Sequence, residues 1–126
     1  MNNALAYNTY AQNDVSIESP QKLIEMLYEG ILRFNMQAKR AIEKDDIEKR
    51  TYWINRSAAV LTELLNTLNM DADGDLSHYL EGLYTHQLHQ LNQANTENSS
   101  EKINDVNRVI KGLLEAWRES TQVAVG

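Results

Sequence analysis

Three histidines, His78, His86 and His89, and two acidic pairs, Asp45/Asp46 and Asp73/Asp75, are the residues whose type and spacing come nearest to chemistry. His86 and His89 stand at i, i+3, which on a bundle helix lets two imidazoles share a metal. No Glu-x-x-His completes a di-iron set, and the absence of cysteine removes every thiolate site and thiol nucleophile. At about 100° per residue all three histidines project opposite Leu76, Leu80, Leu83 and Leu91, so they read as solvated side chains. Both acidic pairs fall in turn and cap positions, where aspartate serves the local backbone, and neither has a second cluster with which to form a pocket. Glycine-rich phosphate loops and the nucleophile elbow are missing as well. The sequence therefore predicts no enzyme, no cofactor and no metal.

The elements that carry these residues read as helices. One proline and five glycines in 126 residues, with no alternating strand pattern of any length, point to an all-α chain. Ser19 is a good N-cap and Pro20 a good first helical residue, so a first helix starts at Pro20 and runs to about Glu43. Leu23, Leu27, Ile31, Phe34, Ala38 and Ala41 fall on one arc, widened by Ile24 and Ile42, and this is the predicted core face. The short loop Lys44–Asp46 forces an antiparallel neighbour, capped by Asp45 or Asp46. In that second helix, ending near Met70, Ile47, Thr51, Ile54, Ala58, Leu61, Leu65 and Leu68 form a heptad seam. Asp71 to Asp75 reads as a turn in which Gly74 is free to take positive φ, and a third helix is expected from Leu76 to about Asn95 with Leu76, Leu80, Leu83 and Leu91 inward. A fourth helix, Glu101 to about Ser120, is capped from Asn98 or Ser100 and buries Ile103, Val106, Ile110, Leu113 and Trp117. The expected architecture is an antiparallel four-helix bundle over residues 19–121, with an N-terminal arm or short extra helix at 1–18 and a tail at 122–126.

Composition bounds the partners. A net charge of −6 and a pI near 5.0 give no basic stripe for nucleic acid or an anionic membrane. The N-terminal stretch lacks a basic segment followed by an apolar run, and no stretch approaches ~18 uninterrupted apolar residues, which predicts a cytosolic protein without membrane insertion.

The informative remainder is apolar surface. Tyr28, Leu32 and Met36 form a second ridge on the shoulder of the first helix, beside Glu25, Glu29 and Arg40, where a plain surface helix is already polar. Trp53, Val60 and Leu64 form a stripe beside the heptad seam, interrupted by Ser57, and Tyr84 and Leu88 widen the third helix. Each helix of a bundle touches two neighbours, so such width is either ordinary packing or a surface for a partner. The polar arm carries Leu5, Tyr7 and Tyr10, anchors that suit a segment lightly covering a groove. These eleven residues are the candidate partner-binding set, for a helical or extended apolar ligand. A helical bundle binding a small ligand or metal is the alternative.

Several pieces, in order, are familiar. Ser19-Pro20 leading into LIEMLYEG, the turn ending Gly74-Asp75 followed by Leu80, Leu83-Tyr84 and Leu91-x-x-Ala94-Asn95, GLLEAW at Gly112 to Trp117, and the Tyr7-x-x-Tyr10 arm closely resemble the flagellin export chaperone family, FliS. The resemblance covers nearly the whole chain. It implies a cytoplasmic bundle that binds the disordered C-terminal segment of flagellin, blocks premature polymerisation and delivers it to the flagellar type III export gate, with room for a co-chaperone or self-association. Two positions depart from the family pattern: Asp73-Gly74 stands where Gly-Gly is usual, and His89-Gln90 where an arginine pair is usual.

Overall fold

The computed structural model describes residues 19–125, apart from the side chains of residues 73 and 123–125. Within it four helices follow one another: α1 Pro20–Glu43, α2 Ile47–Asn66, α3 Met70–Glu97 and α4 Ser100–Val125. The connections hold two or three residues, so sequential helices run antiparallel and pack in the ring α1–α2–α3–α4–α1, with the α1–α2 seam the most extensive.

The helix ends follow their local chemistry. The Ser19 hydroxyl accepts from Lys22 N at 3.2 Å, with Pro20 at the first helical position. Asp45 and Asp46 divide the first loop between them. Asp45 takes the left-handed φ of 53° that aspartate tolerates, while the Asp46 carboxylate accepts from Lys49 N at 3.1 Å and caps α2. At the α3–α4 junction the expected caps are displaced by one residue. Asn98 ends α3 in the left-handed region, and Ser99, between the two predicted residues, caps α4 by accepting from Lys102 N at 3.2 Å. The last helix continues to Val125, past the expected end near Ser120.

The α2–α3 turn differs most from the sequence expectation. Asn69 caps Ala72 and Asp71, and helix begins at Met70, so Asp71–Asp75 is no open turn; Gly74 (φ 32°, ψ −98°) instead kinks α3 one turn in. Beyond the kink the core face is rotated from the predicted one. Ser77, Tyr84, Gln87, Leu91 and Ala94 are buried, Leu80 packs partly against the core, and Leu76 is 59% exposed. The seam of α2 shifts similarly: Ile54, Ser57, Leu61 and Leu64 are buried, whereas Ile47, expected to start the heptad, is 63% exposed.

The core gathers Leu27, Ile31, Ala38, Ile54, Leu61, Leu64, Leu91, Ile103, Val106 and Ile110. Each helix also sends one polar side chain into its middle stretch: Asn35, Ser57 and Gln87, all buried, and the half-buried Asn107. Asn35 Nδ2 donates to Asn107 Oδ1 at 2.8 Å across the α1–α4 seam, while Asn35 Oδ1 and Ser57 Oγ have no protein partner. Trp117, expected in the core, is half-buried at the bundle end, where its indole N–H donates to the Gln21 carbonyl at 2.8 Å. Among the described residues no helix is long and apolar enough to cross a membrane.

Candidate functional site

The end of the bundle formed by the start of α1, the α2–α3 turn and the last turns of α4 encloses an open groove of about 940 Å³. Its walls are Leu23 and Ile24 of α1, Leu68 in the turn, Leu76 and Leu80 of α3, and Leu113 and Trp117 of α4. Tyr28 and Tyr84 form part of the same lining. The local sequence explains why there is space. The Gly74 kink carries Leu76 off the core, and Ser77, whose Oγ donates to the Asn69 carbonyl at 3.0 Å, offers a small side chain where a leucine would fill the volume.

A buried phenol pair, Tyr28 and Tyr84, belongs to the groove, its oxygens 2.6 Å apart. Burial pushes the Tyr28 phenol up in pKa, opposed by its bond to Tyr84. Tyr84 is pushed up chiefly by burial, and both stay neutral donors at ordinary pH. Along the adjoining α1–α4 seam Arg118 donates to Glu25 Oε1 at 2.9 Å and to Glu29 Oε2 at 3.0 Å, and Lys22 donates to Glu25 Oε2 at 2.7 Å. The Lys22 hydrogen bond, followed by that of Arg118, holds the Glu25 carboxyl below its usual range. Nothing in the groove resembles a nucleophile with its base. His78, His86 and His89 are exposed on α3, and the described residues hold no cluster of three metal-ligating side chains.

The candidate binding residues fall into separate places. Tyr28 and Tyr84, read from sequence as shoulder and flank, are buried at 4% and 2% exposure and belong to the floor of the groove. Leu32 is half-buried and Met36 exposed; about 100° per residue puts Met36 some 200° round α1 from Phe34, on the flank nearer α4. Leu64 is fully buried and is core, not surface. Trp53 and Val60 are half-buried on the α1 side of α2, where Trp53 stacks on Phe34 at 5.7 Å between ring centroids, and neither lines the groove. Leu88 is half-buried against the core and also outside the lining. Leu5, Tyr7 and Tyr10 lie outside the described residues.

Sequence reasoning missed Leu68, Leu76, Leu80, Leu113 and Trp117 as groove walls. Helical periodicity assigns each to the inside of its helix, and only the way four helix ends diverge leaves that inside open. One signal was present: a serine, Ser77, on the buried face of α3.

The sequence profile of the family described as "Flagellar protein FliS" matches residues 1–124 of this chain. The flagellar secretion chaperone FliS of Campylobacter jejuni is 58% identical over 119 residues, covering 94% of this chain and 93% of that protein. Its counterpart in Bacillus subtilis is 32% identical over 116 residues, covering 92% and 86% respectively. A crystal structure described as a flagellar chaperone from bacteria superposes with a TM-score of 0.77 over 94% of this chain and 97% of that one; at 21% identity it speaks for the fold.

Proposed function

Because the chain belongs to the FliS family of flagellar secretion chaperones, we propose that its groove receives the disordered C-terminal segment of flagellin as an apolar helix or extended strand. The chain is an export chaperone of flagellar assembly, not an enzyme. The observation carrying the proposal is the groove itself: an open volume of about 940 Å³, walled by leucine, isoleucine and tryptophan side chains and floored by a neutral phenol pair. Flagellin termini pair through amphipathic helices, so occupying their apolar faces blocks premature polymerisation. Ordering a disordered segment costs about 2–5 kcal/mol, which a large apolar contact offsets. The bound segment extends from the groove along α1 to Leu32 and Met36. Trp53 and Val60, on the other flank, are not part of this site.

The cytoplasm is where such a complex forms, and the flagellar type III export gate is where it is delivered. Residues 1–18, which enter at Ser19 on the rim of the groove, act as a reversible lid carrying Leu5, Tyr7 and Tyr10. A lid closed about 90% of the time lowers apparent affinity only about tenfold. Co-expression with the flagellin C-terminal segment, followed by calorimetry of the purified pair, tests this reading. A soluble complex with a large negative heat-capacity change is expected; no complex, or a comparable signal from a divalent metal alone, overturns it.

A further inference from the structure

On the α1–α2 face, away from the groove, Arg56 lies over three aromatic rings. Its guanidinium carbon is 4.8 Å from the centroid of Phe34, 5.7 Å from Tyr52 and 5.9 Å from Trp53, and its Nη1 donates to the Tyr52 hydroxyl at 2.9 Å. Arg33 approaches the same Phe34 ring at 5.9 Å. The rings are ordered among themselves, Phe34 stacked on Trp53 and Tyr52 edge-on to Trp53 at 4.9 Å. Tyr52 is 50% exposed and both arginines are exposed.

Neither arginine pairs with a carboxylate among the described residues, although the chain carries 18 acidic side chains against 12 basic ones. Arg118, by contrast, engages two glutamates. A guanidinium has five N–H donors, and Arg56 spends one on Tyr52, so a planar fork is held by the rings and left open to a ligand. Tryptophan, tyrosine and arginine are the residue types that anchor protein interfaces, and here they are assembled before any partner arrives. We propose that this face docks a second protein, distinct from the occupant of the groove, through an acidic segment in which a carboxylate sits beside an apolar side chain. The carboxylate takes the open fork of Arg56 with Arg33 beside it, and the apolar side chain packs on the edges of Trp53 and Tyr52.

The chain has two tryptophans, so two indole N–H resonances separate the two surfaces: Trp53 reports this face and Trp117 the groove. The probe is the peptide acetyl-Glu-Leu-Asp-Phe-Glu-amide, titrated into the full chain beside the isosteric acetyl-Gln-Leu-Asn-Phe-Gln-amide. The acidic peptide is expected to shift the Trp53 signal saturably and leave Trp117 unmoved, to bind about tenfold more tightly than its neutral twin, and to weaken as salt rises. Arg56→Gln is expected to remove that tenfold preference, Arg33→Gln to reduce it, and Arg56→Lys, which keeps charge but not the planar fork, to fall between wild type and Arg56→Gln. Equal binding of the neutral peptide, movement of Trp117 instead of Trp53, no shift at millimolar peptide, or binding by Arg56→Gln equal to wild type overturns the proposal. So does concentration-dependent dimerisation of the free chain that Arg56→Gln abolishes, because the face then belongs to a second copy.

Discussion

The phenol oxygens of Tyr28 and Tyr84, 56 residues apart in sequence, meet at 2.6 Å on the floor of the groove. Two hydroxyls own two protons and share one bond, so one proton remains to be donated elsewhere. The pair ties α1 to α3 across the bundle, and a groove walled mainly by hydrocarbon gains a fixed polar point.

Removing either hydroxyl leaves the other inside an apolar wall. Tyr28→Phe and Tyr84→Phe are each expected to lower the unfolding free energy by about 1–2 kcal/mol, and the double variant by less than the sum of the two, since it removes both partners at once. Urea unfolding of the four proteins checks this; additive losses would show that the hydroxyls do not act as a pair.

Ser57 is fully buried and its hydroxyl has no protein partner. Ser57→Ala deletes a polar group that gains nothing where it is and leaves a shape close to the original. We expect stability unchanged or raised by up to about 1 kcal/mol, against the loss usual for a change at a buried position. A loss above that size in denaturant unfolding would reveal a hidden partner for Oγ.

Gly74 holds a φ of 32° at the kink of α3, and a Cβ placed there meets nothing within 4 Å. The cost of Gly74→Ala is therefore backbone strain alone, about 1–2 kcal/mol. Thermal unfolding measures it. Relief of the strain by straightening α3 would also draw Leu76 toward the core, so the variant is expected to bind the flagellin segment more weakly.

Leu76 walls the groove while 59% exposed. Leu76→Glu puts a charge on the binding wall without unpacking the core. The expected outcome is a stability change within about 0.5 kcal/mol and a loss of flagellin-segment affinity of more than tenfold, which corresponds to about 1.4 kcal/mol. Calorimetry beside a melting curve separates the two; equal affinity would move the site elsewhere.

Glu25 joins Lys22 and Arg118 at the α1–α4 seam. Its folded pKa is lowered from 4.5, first by the Lys22 hydrogen bond and then by that of Arg118. The stability it contributes is complete above the unfolded value and disappears as pH falls through the folded one. Glu25→Gln should therefore lower the melting temperature at neutral pH and match wild type in acid well below 4.5. A gap that persists in acid would assign the effect to packing.

The four helices, their order, both ends of α1 and the start of α2 are written locally, whereas the end of α2, the start of α3 and the end of α4 lie several residues from where the local pattern places them. Ser19-Pro20, Asp46 and the 3.6-residue spacing of Leu23, Leu27 and Ile31 act within a turn or two of chain, where capping bonds and periodicity decide the outcome. The ordered motifs likewise identify the family. The binding surface is different in kind. A wheel treats each helix as a straight cylinder, so it cannot register the Gly74 kink that turns Leu76 outward and Tyr84 inward, nor rank Tyr28, Leu32 and Met36, one stripe in sequence, as buried groove lining, half-buried flank and exposed surface. Trp117 shows the same limit: its position faces inward along α4, yet at the end of the bundle inward means toward an open groove. The Arg56 cluster depends on two helices coming together, because neither Phe34 nor Trp53 alone marks where a guanidinium will rest. Local hydrogen bonds and periodicity determine the elements; where those elements diverge and which rings meet is decided by packing among all four.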